Sequence, residues 1–230
     1  MIFRQLFDKD TSTYTYLIAD EKTKEAAIID PVREQVDRDV KLLEDLGLNL
    51  KYAIETHIHA DHVTGGGSLR QVLSDTKLVV NAASEADCAD VLINDGDVLK
   101  VGDIEIKALY TPGHTNTCTS YQVDDMLFTG DTLLIGGCGR TDFQAGDAGQ
   151  LYDSIQEKLF SQPDSTRVYP GHDYNGLTMT TIGEEKANNP RLGNSKPKDD
   201  FVALMDGLKL DMPKRIKESV PGNMKCGLAA

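Results

Sequence analysis

The chain has 230 residues, with 24 Lys plus Arg against 37 Asp plus Glu, a net charge of −13. Hydrophobic residues make up 40% of it, which sets aside disorder and predicts one domain over residues 1–230 with a sizeable core. The acidic balance excludes a phosphate-tracking nucleic-acid binder, although a few local cations can still hold an anionic small ligand. No apolar run reaches the roughly 18 residues of a membrane span, so no membrane segment is expected. The start, MIFRQLFDKD, lacks the pattern of a signal peptide and is too acidic for a transit peptide; a cytoplasmic protein is the expectation. Cys88, Cys118, Cys138 and Cys226 are widely spaced with no CxxC pair. They predict a reducing compartment and no disulfide framework, with Cys88, Cys118 and Cys226 as buried or incidental thiols.

Residues 2–7, 14–19 and 26–30 read as short strands that end in polar turn signals. Pro31 opens a helical segment in which Val36, Val40, Leu43 and Leu46 recur three or four apart, with Gly47 as its C-cap. Residues 51–55 form another strand, which runs straight into Thr56-His57-Ile58-His59-Ala60-Asp61-His62. Gly65-Gly66-Gly67 and a helix over 68–73 follow. No GK[ST] accompanies these glycines, so close approach of the backbone to the histidine run explains them better than a phosphate loop. Further strands are predicted at 78–80, 98–100, 104–110, 118–123 and 126–129. An amphipathic helix over 149–160 has Asp147 placed to cap it. A strand at 167–169 and helices around 177–188 and 201–208 complete the chain. The mixture indicates a layered α/β domain, and the pattern alone does not name its topology.

The five histidines carry the chemical signal. Three lie in His57-x-His59-x-Asp61-His62, one in Thr111-Pro112-Gly113-His114, and one in Tyr169-Pro170-Gly171-His172. Each group follows a predicted strand, as does Asp131 in Thr129-Gly130-Asp131. A lone histidine is usually a core or surface residue. Five in strand-end turns beside carboxylates point to metal, because neutral imidazole ligates divalent ions and a carboxylate balances their charge.

These motifs, in this order, resemble the metallo-β-lactamase superfamily. The resemblance implies an α+β fold, an αββα sandwich of two mixed sheets flanked by helices, with a site at the strand ends. It does not fix the reaction, since the superfamily hosts hydrolases, oxygenases and redox enzymes. The run Gly137-Cys138-Gly139-Arg140-Thr141-Asp142-Phe143-Gln144 is similar to a signature of the persulfide dioxygenase family. So are YPGHDY at 169–174, Asn189-Pro190-Arg191 and VPGNMKCG at 220–227. Glyoxalase II, a thioester hydrolase, is the nearest competitor, with a different run after the TGD aspartate and a longer C-terminal helical region.

The persulfide dioxygenase resemblance implies one Fe(II) per chain held by His57, His114 and Asp131. Two histidines and one carboxylate leave positions open for substrate and O2. In dinuclear relatives His59 joins His57 and His114 at one metal, while Asp61, His62 and His172 complete a second bridged by Asp131. All are present here, so a two-zinc site stays open at this point. In the oxygenase reading His59, Asp61, His62 and His172 surround the ligands and orient them. The implied substrates are glutathione persulfide and O2, giving sulfite and glutathione. Arg140, Arg191 and Lys225 are candidate anchors for the glutathione carboxylates, and Tyr174 for a hydrogen bond near the sulfur. Cys138 reads as a small residue packed in a tight loop in preference to a reactive thiol. The segment from about 195 to 230 is expected to complete the substrate pocket, and a homodimer is in keeping with the family.

Overall fold

A computed structural model gives the fold of residues 1–228. The first sheet contains β1 (Ile2–Asp8), β2 (Thr13–Ala19), β3 (Glu25–Ile29), β4 (Asn49–Ile54), β5 (Lys77–Asn81) and β6 (Val91–Ile93), neighbours in sequence order. β1, β2 and β3 pair antiparallel, and β3 to β6 pair parallel. A parallel step needs a long crossover. The chain supplies α1 (Val36–Leu46) between β3 and β4, and α2 (Gly66–Val72) between β4 and β5. β2, a run of aromatic and β-branched residues, is buried along its whole length, as a strand covered on both faces must be. Gly47 ends α1 in the left-handed region, at φ 62°, where the missing Cβ removes the steric cost.

The second sheet has the order β12 (Thr180–Thr181), β11 (Arg167–Pro170), β10 (Met126–Gly130), β9 (Thr119–Val123), β8 (Ile104–Tyr110) and β7 (Val98–Val101). β10 and β11 are parallel, and the β8–β9, β9–β10 and β11–β12 pairs are antiparallel. α3 (Ala148–Ser154) lies between β10 and β11 in the chain and runs on as a π-helical segment, Ile155–Leu159. Asp147 caps it as expected, accepting from the Gln150 amide at 2.7 Å. α4 (Ile182–Asn188), α5 (Lys198–Asp206) and α6 (Ile216–Asn223) follow. Two mixed six-stranded sheets flanked by helices are the α+β composition that the resemblance implies.

The chain forms two compact units. One comprises Met1–Ile93, Val98–Ile106 and the segment from Met212 onward; its core includes Leu17, Ile28, Leu43, Leu69 and Leu78. The other comprises Asn94–Asp97 and Lys107–Asp211, with Leu127, Leu151, Ile155, Val168 and Phe201 at its centre.

Two local expectations change, and one helix was not foreseen. The helix foreseen around 177–188 starts only at Ile182, because Thr180 and Thr181 pair with β11 and the Thr181 hydroxyl accepts from the Glu184 amide. α6 contains Pro221, a residue that reads as a breaker in sequence. Ion pairs of Arg33 with Glu218 and of Arg215 with Glu34, each at 2.8 Å, tie this short helix down. The expectation of thiols at Cys88 and Cys226 is corrected: the two form a disulfide across 138 residues, with Cα atoms 5.9 Å apart. Spacing carries no information on that pairing, since only the folding of the chain's end against the stretch after β5 brings the two together. Cys118 and Cys138 are free and buried.

Asp39 on α1 is fully buried beside Arg38, whose Nε donates to it at 2.8 Å. Burial outweighs that partner and pushes the carboxyl pKa up to about 6, from 3.8. The folded state therefore holds the proton more tightly than the unfolded one. Its contribution is complete below about pH 4 and is lost as pH rises through about 6. Asp39→Asn removes this loss. Urea unfolding should show the variant more stable at pH 8 by up to about 3 kcal/mol, with the gap closing toward pH 4. Equal stability at pH 8 contradicts this account.

Candidate metal centre

In the first unit the chain leaves β4 at Ile54 and enters the histidine run directly. β3 and β4 are parallel neighbours, so Asp30, which follows β3, lies at the same sheet end. Asp30 adopts a left-handed φ of 51°, a conformation that Asp tolerates better than most residues. Its buried carboxylate accepts from the Thr56 amide at 2.7 Å and the Thr56 hydroxyl at 2.8 Å, and meets His59 Nε2 at 3.1 Å. Glu55 lies 3.3 Å from the same nitrogen and takes a short hydrogen bond from Thr64. Burial disfavours a charge on His59, but the adjacent Asp30 and Glu55 carboxylates hold its pKa well above the usual value. Burial raises the Glu55 carboxyl.

The imidazoles of His57, His59 and His62 pack in a row, tilted against one another, with centroids 4.0 and 4.3 Å apart. Asp61 meets His62 Nδ1 at 2.9 Å. His59 Nδ1 and His62 Nε2 are buried with no hydrogen-bond partner. Ligand atoms of His59, Asp61 and His62 lie within 4.8 Å of one another. Buried nitrogens without partners are costly unless something else satisfies them, and a cation fits these donors.

The second unit presents His114 after β8, Asp131 after β10 and His172 after β11. The parallel β10–β11 pair brings the last two to one sheet end. His114 Nδ1 donates to the Arg140 carbonyl at 2.6 Å. A carbonyl only accepts, so this bond places the ring proton on Nδ1 and leaves the Nε2 lone pair available. That Nε2 is 3.7 Å from one Asp131 oxygen, while His172 Nε2 is 3.6 Å from the other. Asp131 Oδ1 is buried and has no hydrogen-bond partner. Two aimed imidazoles and an unsatisfied carboxylate are a donor set suited to a divalent transition metal.

The signature loop supports His114 from behind. Gly139 donates its amide to the Asp131 carbonyl at 2.7 Å, and a Cβ there would lie 2.7 Å from the His114 ring. Glu185 accepts from the Gly136 amide at 3.0 Å, Asn189 donates to the Gly137 carbonyl at 3.1 Å, and Arg191 donates to the Cys138 carbonyl at 2.7 Å. Burial pushes the Cys138 thiol up to about 11, with Arg191 only partly offsetting it; Cys118 rises to about 12 from the same cause. Both stay protonated, which supports the packed reading of Cys138.

The expected substrate anchors have varied surroundings. Arg140 is engaged by Asp142 through two 2.7 Å bonds and by the Leu210 and Asp211 carbonyls, with its guanidinium 4.9 Å over the Phe143 ring. Tyr174 is exposed and stacks on His172, centroids 6.2 Å apart. Lys225 is exposed. Sequence reasoning missed Asp30, Glu55 and Glu185, and met Asn189 and Asn223 only as members of the 189–191 and 220–227 motifs, without a role. Asp30 had one usable signal, its place in an Asp-Pro step directly after a strand.

Gly139→Ala should force the His114 ring aside and weaken metal retention about tenfold or more. Gly137→Ala, where a Cβ meets nothing within 4 Å, serves as the control. Metal content after dialysis reads both, and equal retention in the two variants counts against the packing argument.

Comparison with known proteins agrees with this geometry. The Metallo-beta-lactamase superfamily family model matches residues 8–87 and 83–172. The chain is 47% identical to the mitochondrial persulfide dioxygenase ETHE1 of Bos taurus, over 99% of this chain and 89% of that one. The Homo sapiens counterpart is 46% identical with the same coverage. The crystal structure of ETHE1 from Myxococcus xanthus covers 99% of this chain and 100% of its own, at 51% identity and a TM-score of 0.96. The chain belongs to the persulfide dioxygenase family of the metallo-β-lactamase superfamily.

Proposed function

We propose that the chain is a persulfide dioxygenase that oxidises glutathione persulfide with one Fe(II) held by His57, His114 and Asp131. One persulfide, one O2 and one water give one thiol and one sulfite. The likeness to persulfide dioxygenases along 99% of the chain carries the reading. The fixed tautomer of His114 and the unsatisfied Asp131 oxygen support the ligand roles. When bound, Fe(II) supplies electrons to O2 and open positions for the persulfide sulfur.

The protein's part is orientation and charge. The Arg140 carbonyl holds the His114 ring in register, and Asp131 brings the negative charge that balances a divalent ion. His59, tied through Nε2 to Asp30, serves with Asp61, His62 and His172 as support around the ligands. Arg140, Arg191 and Lys225 bind the glutathione carboxylates, and Tyr174 lies near the sulfur. The segment from about residue 195 onward completes the pocket of what works as one domain. No helix among the described residues is long and apolar enough to cross a membrane. The reading further assigns the chain to the cytoplasm and to a homodimer.

A second reading, a dinuclear thioester hydrolase, draws on the unpartnered His59 Nδ1 and His62 Nε2 beside Asp61. In that reading His59, Asp61 and His62 would hold a further metal ion, which would supply Lewis acidity for hydrolysis. Metal stoichiometry separates the two: one iron per chain against two metals.

Anaerobically Fe(II)-loaded protein given glutathione persulfide should consume O2 and release sulfite in equal amounts. Iron-replete protein that takes up no O2, yet hydrolyses thioesters with zinc, overturns the proposal. Asp61→Ala should keep its iron, whereas Asp131→Ala should lose it. Iron loss in Asp61→Ala removes the case for a three-ligand site.

A further inference from the structure

Within the first unit, the end of the chain grips the histidine run. Asn223 Nδ2 donates to the carbonyls of His59 and His62, both at 2.9 Å, and its Oδ1 accepts from the Thr64 amide at 2.8 Å. This side chain is 3% exposed, so each of those backbone groups depends on it in place of water. Only a carboxamide offers two donors and an acceptor in that shape. Three residues on, the Cys226 carbonyl accepts from the Gly67 amide at 2.9 Å. A Cβ on Gly67 would collide with that carbonyl and with Leu228, so the last glycine of the triplet serves the docking of the chain's end. The same Cys226 is bonded to Cys88. Cys226 is buried and Cys88 is partly exposed.

We propose that Asn223 is a positioning residue for the 57–64 run, and that the Cys88–Cys226 disulfide makes its grip redox-dependent. The inference rests on the reading that His57 is a metal ligand. α6 also buries Ser219 and Gly222 and carries the Arg33–Glu218 and Arg215–Glu34 ion pairs at the surface, each a modest contribution. The disulfide is the one covalent tie, and it lies one turn from the gripping amide. A cellular dithiol is the co-reactant that opens it. Its thiolate attacks the accessible Cys88 sulfur, forming a mixed disulfide and expelling Cys226 as a thiolate, which takes up a proton. The second thiol of the dithiol then closes on its own sulfur, releasing Cys88 as a thiol and leaving the reductant as a disulfide. With the tie open, the segment holding Asn223 loosens, and the carbonyls of His59 and His62 lose their donor.

Backbone amide exchange tests this on metal-free protein, and transfer of Fe(II) to a ferrous chelator tests it on loaded protein. After reduction by a dithiol, the Thr64 and Gly67 amides should exchange at least tenfold faster while β4 amides keep their rates. Fe(II) should pass to the chelator about tenfold faster, the scale set by losing a group that orients metal ligands. Cys88→Ser should reproduce both effects without reductant. Asn223→Ala should release Fe(II) at the fast rate in both redox states, because the grip is already gone. Unchanged exchange at Thr64 and Gly67 on reduction overturns the proposal. So does faster exchange with unchanged Fe(II) release, or an equal effect of reduction on wild type and Asn223→Ala. If either variant fails to fold, exchange and Fe(II) release in the reduced wild type decide alone. O2 uptake with glutathione persulfide is read separately. Its absence in protein whose amides and iron respond as expected rejects the function and leaves the grip standing.

Discussion

The first unit depends on one buried carboxylate. Asp30 sits where β3 ends, in a strained left-handed conformation, and collects the Thr56 amide, the Thr56 hydroxyl and His59 Nε2. With the Glu55 amide, which donates to the Val79 carbonyl at 3.0 Å, it sets the direction of the chain leaving β4. A charge-assisted bond to a backbone amide is among the stronger interactions available to a folded chain. Here it acts at the second residue after β4, where a small change of angle would displace His57, His59 and His62. The second unit uses a different device for the same end. There a backbone carbonyl, from Arg140, fixes the His114 ring, and Glu185, Asn189 and Arg191 hold the loop that presents it.

The candidate ligands were legible in the sequence because ligand chemistry is local. The HxHxDH run, the two PGH turns and the TGD turn are each three to six residues long, and each follows a strand whose pattern is plain. Gly47 and Asp147 could be read as caps for the same reason, since a cap speaks only to its own helix. What stayed hidden is what acts at a distance. Asp30 lies 26 residues before Thr56, its partner. Asn223 lies 164 residues after His59. Cys88 and Cys226 are 138 apart, and no spacing rule announces such a pair. The α6 helix was not foreseen: it contains Pro221, which local pattern disfavours, and the fold holds that turn by contacts outside it.

Charge shows the same division between local and global. A net charge of −13 is unfavourable for an anionic ligand at long range. Arg140 is itself clamped by Asp142, which holds the guanidinium flat and stacked over Phe143. A cation organised in this way spends no freedom on becoming ordered when a ligand arrives. The same clamp partly neutralises its positive charge.

The two free thiols have a consequence of their own. A persulfide carries an electrophilic sulfur, and any thiolate within reach can take that sulfur and become modified. Cys118 and Cys138 are buried, with pKa values pushed up to about 12 and about 11. At neutral pH almost none of either is the nucleophilic form. The fold thereby insulates the protein from the reagent it handles, so that the sulfur presented to it leaves by oxidation and does not lodge in its own core.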